Sequence, residues 1–103
     1  MSRMLNMLGL CARARMLITG EKACVQQIRA GGAFVAVLDK AAAKNAVKSI
    51  TDACEYHEVP LVWAPEYALG DAIGKPGRMA AAVTDEKMAQ RVIEFYQLEK
   101  ETN

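Results

Sequence analysis

The chain has 103 residues, of which 52% are hydrophobic and 24% are charged, so we expect a single domain over residues 1–103 whose core needs neither disulfides nor a metal. No apolar run approaches the ~20 residues that span a bilayer, and arginines interrupt residues 1–16 where a signal peptide would be apolar, so we expect a cytoplasmic protein with no membrane partner. The net charge is only +1, but the first 50 residues carry eight Lys or Arg against two acids and the remainder carry five against ten, an asymmetry that favours a side facing nucleic acid.

The chain opens with a predicted helix and a short strand. Ser2 is a suitable N-cap. The residues after it carry an apolar stripe with helical spacing, formed by Met4, Met7, Leu8 and Cys11. Gly9 interrupts this helix at a cost of up to ~1 kcal/mol relative to Ala, which predicts a close approach to another backbone. The helix ends by Arg15, and residues 16–19 form a short edge strand.

Residues 18–39, ITGEKACVQQIRAGGAFVAVLD, predict a helix followed by a central strand. Gly20 supplies a backbone turn, and residues 21–30 then carry an apolar helical face. The pair Gly31-Gly32 ends the helix. Residues 33–38 are apolar without alternation, which is typical of a strand covered on both faces in a sheet flanked by helices.

The N-terminus of this second helix is the first candidate binding site. A helix N-terminus directs unpaired N–H groups and a positive partial charge outward. A start at Gly20, with Glu21 and Lys22 in the first turn, therefore suits a phosphate or a polar nucleobase edge. The alternative that such a helix binds nothing stays open on spacing alone. Asp39 and Lys40 follow the central strand, at the place where open α/β sheets commonly bind ligands.

Residues 42–57 predict a third helix with a charged side that includes Lys44 and an apolar side that ends at His57. We interpret this histidine as a charge partner or a packed side chain at the helix C-terminus, in preference to a base or ligand. Residues 60–64 form a short strand between prolines, which suits the edge of a sheet. Trp63 within it is either half-buried packing, the preferred interpretation, or a base-stacking ring.

A second basic feature follows a short helix predicted over residues 66–73. Gly74 closes that helix, and a turn that presents two cations follows, formed by Lys75, Pro76, Gly77 and Arg78. The segment from Gly70 to Lys75 superficially resembles a nucleotide phosphate-binding loop. It has three residues between its glycines instead of four, and Pro76 stands where Ser or Thr would hold magnesium. We therefore exclude ATP binding.

The chain closes with a strand of small residues and a helix. The strand is predicted over residues 79–83, and Thr84, Asp85 and Glu86 then begin the helix with a cap and an acidic first turn. We expect Met88, Val92, Phe95 and Tyr96 to bury this helix and residues 99–103 to form a polar tail. The alternation of helices and strands predicts an α/β fold, a three-layer α/β/α sandwich around a small four-stranded mixed sheet.

The sequence lacks the residue patterns that catalysis requires. A nucleophile with a base, paired carboxylates or a cluster of metal ligands would be needed, and the chain has one histidine and three dispersed cysteines. We expect those cysteines, Cys11, Cys24 and Cys54, to be buried small hydrophobic residues. The prediction is a protein without enzymatic activity, metal, cofactor or small-molecule substrate.

Four stretches carry a resemblance to a known family. They are LGLCARARMLITGE at residues 8–21, AFVAVLDKAA at 33–42, VPLVWA at 59–64 and LGDAIGK at 69–75. Together, and in register, they resemble the ribosomal protein family typified by the archaeal kink-turn-binding protein L7Ae, especially its small bacterial members. The resemblance extends over essentially the whole chain.

This resemblance implies an α/β/α sandwich that binds structured RNA, either ribosomal or containing a kink-turn. In the family, the helix that begins at the position of Gly20 meets tandem sheared G·A pairs, and the loop at residues 75–78 lies beside the kink. Archaeal members carry Asn, Glu and, three residues further on, Lys where this chain has Lys22, Ala23 and Gln26, so we expect blunted kink-turn discrimination. Together with the positions singled out above, we expect the RNA-binding residues to be Arg15, Gly20, Glu21, Lys22, Gln26, Asp39, Lys40, Lys44, Gly74, Lys75, Pro76, Gly77 and Arg78.

Five cations of this set are expected to form one basic surface, because helix starts and strand ends on the same edge of an α/β sheet lie together. They are Arg15, Lys22, Lys40, Lys75 and Arg78. We expect a monomer associated with translation or the ribosome. The alternative is a protein–protein interaction module on the same fold, whose basic half contacts an acidic protein surface.

Overall fold

A computed structural model describes residues 2–101, which form five helices and four strands. Their bounds are α1 Arg3–Arg13, β1 Leu17–Thr19, α2 Glu21–Arg29, β2 Val35–Asp39, α3 Lys44–His57, β3 Leu61–Ala64, α4 Ala68–Ile73, β4 Ala80–Val83 and α5 Glu86–Glu101. Each element starts within two residues of its predicted position. Across the described residues, no helix has both the length and the apolar character needed to cross a membrane.

The four strands form a mixed sheet in the order β1-β4-β2-β3. β2 and β3 run parallel, whereas β4 runs antiparallel to both of its neighbours, β1 and β2. β1 and β3 are therefore the edge strands, as their sequences predicted. β2 lies inside the sheet, and all of its residues are buried.

Helices cover both faces of the sheet. Val35 and Val37 of β2 belong to a core shared with α1, α4 and α5, whereas Ala36 and Leu38 belong to a second core shared with α2 and α3. Successive residues of a strand point to opposite faces, so this one strand contributes to both cores. This explains why its sequence does not alternate, and the predicted three-layer α/β/α sandwich is confirmed.

The backbones of α1 and α4 approach closely at Gly9. A Cβ atom at this position would lie 2.9 Å from the carbonyl oxygen of Ala72, a distance that real Cβ contacts do not reach. The close approach predicted from the glycine is confirmed.

The C-terminal helix caps the N-terminal one. The Glu99 carboxylate accepts hydrogen bonds from Ser2 Oγ at 2.8 Å and from the backbone N–H groups of Arg3 at 2.6 Å and Met4 at 3.1 Å. A carboxylate is favourable there because the helix N-terminus carries a positive partial charge. The predicted polar tail is therefore wrong for residues 99–101, which are helical, while Thr102 and Asn103 lie outside the described residues.

Candidate nucleic-acid interface

Four loops meet at one edge of the sheet, where β1, β2 and β3 end and β4 begins. We define the loop edge as residues 20–22, 40–43, 65–67 and 74–79. Backbone hydrogen bonds tie these loops to the strands: the Gly20 N–H donates to the Ala80 carbonyl at 3.0 Å, and the Lys40 N–H donates to the Ala64 carbonyl at 3.0 Å. The loop edge is therefore continuous with the sheet.

Gly20 starts α2 in a conformation that side chains rarely adopt, with φ 99° and ψ 147°. No side chain caps α2, so the N–H groups of its first turn are available to an acceptor. Glu21 is half-buried in that turn, Lys22 beside it is exposed, and Gln26 is exposed one turn further along. The start of α2 can thus donate both backbone N–H groups and a lysine ammonium to an anion.

The basic turn before β4 lies against the start of α2. A Cβ atom on Gly20 would lie 3.5 Å from Arg78 Nη1, so the guanidinium is in contact distance of the α2 N-terminus. The Arg78 N–H donates to the Lys75 carbonyl at 3.2 Å, which closes the turn over Pro76 and Gly77. The structure therefore places Arg78 beside the start of α2.

Gly70 in α4 packs against the backbone of this turn. The Lys75 N–H donates to the Gly70 carbonyl at 2.9 Å. A Cβ atom on Gly70 would lie 2.7 Å from the Lys75 carbonyl oxygen and 2.9 Å from the Gly77 nitrogen, so only glycine fits. Gly74 and Gly77 have φ values of 74° and 89° and supply the bends of the turn. Sequence reasoning did not assign Gly70 this role, although a glycine inside a helix is a signal of close packing.

Asp39 has no exposed surface, and its predicted contact with RNA is wrong. Its Oδ1 accepts from the backbone N–H groups of Ala41 at 2.8 Å and Tyr67 at 2.9 Å, and its Oδ2 accepts from that of Leu69 at 3.1 Å. A buried carboxylate needs such donors to offset its lost hydration. Asp39 therefore positions the loops after β2 and β3 and does not contact a ligand itself.

The prediction that Arg15 belongs to the basic surface is also wrong. This residue precedes β1, whereas the loop edge follows β1, and the neighbouring Met16 carbonyl accepts from the Thr84 N–H at 2.9 Å at the far end of β4. Its backbone therefore lies at the opposite edge of the sheet. Lys40 is exposed on the loop edge. Lys44 is exposed in the first turn of α3, which begins at the same edge.

An open groove of about 690 Å³ runs between α2 and α3. Its α2 wall includes Lys22, Gln26 and Arg29, and its α3 wall includes Asp52 and Tyr56. Sequence reasoning did not single out Arg29 or Tyr56. The available signal was the position of Tyr56 on the polar side of α3, where an aromatic residue has no core to enter.

The structure shows how buried Trp63 and His57 are. Trp63 is half-buried and packs against the core shared by α2 and α3, which confirms its interpretation as packing. His57 lies in the last turn of α3, where a positive charge is favourable, but it is exposed, so the packed alternative is wrong. Its ring meets that of Tyr56 edge-on, with the centroids 4.9 Å apart.

The three cysteines are buried free thiols, as predicted. Burial raises the pKa of Cys11 to about 11, that of Cys24 to about 12 and that of Cys54 to about 11, because a thiolate is poorly solvated there. Within residues 2–101, no three His, Cys, Asp or Glu side chains are grouped as metal ligands would be.

The chain is similar in sequence to two bacterial proteins of the same name. The RNA-binding protein YlxQ of Bacillus subtilis (strain 168) is 39% identical over 88 residues, which cover 84% of this chain and 88% of that protein. The RNA-binding protein YlxQ of Enterococcus faecium is 33% identical over 92 residues, covering 88% of each.

Solved structures share the fold. A protein of unknown function from Bacillus halodurans C has a TM-score of 0.90 at 30% identity, covering 94% of this chain and 99% of that one. The Giardia lamblia 15.5kD RNA binding protein has a TM-score of 0.73 at 22% identity, covering 91% of this chain and 82% of that one, a likeness of fold.

The family resemblance read from the four stretches is confirmed by a match of residues 2–93 to a family model. The chain belongs to the ribosomal protein L7Ae/L30e/S12e/Gadd45 family.

Proposed function

We propose that this chain binds structured RNA through the loop edge, as a non-catalytic cytoplasmic protein. The observation that carries the proposal is the position of the Arg78 guanidinium, 3.5 Å from where a Cβ on Gly20 would lie, with Lys22 and Lys75 exposed on the same edge. The relatives from Bacillus subtilis and Enterococcus faecium, both called RNA-binding proteins, support it.

The chemistry of the loop edge suits phosphates. The uncapped first turn of α2 offers backbone N–H donors within a positive partial charge, and Arg78 beside it can donate two parallel hydrogen bonds to one phosphate. Gly20 keeps this approach free of a side chain. Lys75 adds a second cation on the exposed turn, where it contributes to affinity without reading sequence.

The proposed ligand is ribosomal RNA or another RNA with a kink-turn-like element, which would associate the chain with translation. Lys22 can donate to a guanine edge or to a phosphate. Ala23 has no group that can hydrogen-bond a base, and Gln26 carries no charge. Discrimination between a kink-turn and a plain duplex is therefore expected to be weaker than in archaeal members of the family.

Binding to a kink-turn RNA and to a plain duplex, each over a salt series, tests the proposal. We expect Lys22→Ala to cost about 1–3 kcal/mol. Lys75→Ala and Arg78→Ala should weaken both RNAs alike, and each should reduce the slope of log affinity against log salt by about one, because each removes one phosphate contact.

Lys87→Ala is the matched control, because Lys87 is an exposed cation in the first turn of α5, beyond the end of β4 that lies away from the loop edge. It should leave both affinities unchanged. If none of the three loop-edge variants alters affinity at any salt, the RNA-binding proposal fails. A protein partner that remains bound at high salt would then identify the interaction module as the correct alternative.

A further inference from the structure

The α2–α3 groove is built from two facing helical stripes. Lys22, Gln26 and Arg29 line its α2 wall, one helical turn apart, and Asp52 and Tyr56 line its α3 wall at i and i+4. Residues with these spacings share one face of a helix. Both helices begin at the loop edge, so the groove leads from the loop edge along the face of the molecule.

The groove lining carries two acids, Glu21 and Asp52, and two cations, Lys22 and Arg29, and both cations lie on the α2 wall. Asp52 on the α3 wall is already paired with Lys48 at 3.0 Å, and Glu21 is half-buried in the first turn of α2, where the helix N-terminus offsets its charge. Lys22 and Arg29 are both exposed on the α2 wall. Their two positive charges face the groove.

Tyr56 stands at the far end of the groove with 84% of its surface exposed. It belongs to neither core. Its ring makes a T-shaped contact with that of His57, and its high exposure leaves much of the ring open to solvent. A tyrosine on a helix loses little conformational freedom when it binds a ligand. Base–aromatic stacking is a common means of holding unpaired nucleotides. Val25 and Ala53 also line the groove between the two charged walls and suit contact with sugars and bases.

We infer that the α2–α3 groove binds a single-stranded RNA segment that flanks the structured element on the loop edge. Tyr56 stacks on one of its bases, and Arg29 contacts its phosphates. The inference rests on the proposed function, since Lys22 belongs to both the loop edge and the groove. The groove residues of α3 extend about 10 Å along the helix axis from Ser49 to Tyr56, enough for a short single-stranded segment.

The test compares a structured RNA that ends in a blunt stem with the same RNA carrying about six unpaired nucleotides, a length within the range that single-strand-binding sites accommodate. Extensions at the 5′ and 3′ ends are measured separately. The wild-type protein should bind one extended RNA at least about five-fold more tightly than the blunt RNA. Tyr56→Ala should abolish this gain and leave the affinity for the blunt RNA unchanged, whereas Tyr56→Phe should retain it because the ring remains. Arg29→Ala should reduce the gain and its salt dependence.

Equal affinity of the wild-type protein for blunt and extended RNAs would overturn the inference, and so would a gain that survives in Tyr56→Ala. Either result would leave the groove to another occupant, such as a protein. These outcomes differ from a failure of the proposed function, in which the wild-type protein binds neither RNA. Because Tyr56 is exposed, its variants should fold as the wild-type protein does, and unchanged binding to the blunt RNA verifies this directly.

Discussion

Replacing Asp39 with Asn tests whether one buried carboxylate holds the loops of the loop edge in place. Asn retains one oxygen for the N–H groups of Ala41 and Tyr67 but presents an NH₂ group to the N–H of Leu69, which Asp39 Oδ2 meets at 3.1 Å. One buried donor then lacks an acceptor, at a cost of about 1–3 kcal/mol, and the other two bonds lose their charge assistance. We expect Asp39→Asn to lower the free energy of unfolding by about 2–4 kcal/mol and Asp39→Ala to lower it by about 3–6 kcal/mol.

Urea unfolding, followed by circular dichroism and by the fluorescence of the single tryptophan, measures this loss. Asp52→Asn is the matched control, because Asp52 is an exposed carboxylate that pairs with Lys48 of its own helix, whose side chain is 79% exposed. It should change the free energy of unfolding by less than about 0.5 kcal/mol. If Asp39→Asn changes the free energy of unfolding as little as this control does, the three hydrogen bonds do not stabilise the fold and the role assigned to Asp39 is wrong.

Further predictions concern the basic turn, the start of α2 and the buried thiols. Gly70→Ala should destabilise the protein by about 1–3 kcal/mol in urea and weaken RNA binding, because its Cβ would displace the Lys75 carbonyl 2.7 Å away; unchanged RNA affinity would show that the turn does not depend on this support. Ala23→Glu should raise the preference for a kink-turn over a plain duplex by restoring an acceptor, and an unchanged affinity ratio would contradict this. The thiols should react slowly with a disulfide reagent in the folded protein. Because burial raises their pKa from 9.0 to about 11 or 12, their contribution to stability is complete below pH 9 and is lost as the pH rises towards 11; urea midpoints that stay constant from pH 9 to 11 would refute this.

The secondary structure and the three-layer architecture could be predicted because their signals are local. Uninterrupted apolar residues in β2 indicated burial on both faces, and Pro60 and Pro65 around β3 indicated an edge. The glycine at position 9 indicated a close backbone approach, which the α1–α4 contact confirms. Such features depend on side-chain periodicity and backbone freedom, which neighbouring residues determine.

The candidate site was only partly predictable, because residue type does not reveal which polar group is buried. Asp39 sits beside Lys40 in the sequence, yet its strand position directs it into the fold, where it meets backbone donors 28 and 30 residues away. Glu99 likewise meets the N-terminus of α1 from more than 90 residues away. Contacts of this range leave no local pattern.

The sequence alone thus determined the elements, their order and the basic character of the α2 start and the 75–78 turn. Only the tertiary structure decided which of these features meet. The direction of β4 brings Arg78 to Gly20 and leaves Arg15 at the other edge, and the pairing of α2 with α3 aligns Arg29 with Tyr56 along one groove. The physical reason is that each element forms according to its own residues. Strand direction and helix packing instead depend on burying the whole core, to which all elements contribute together.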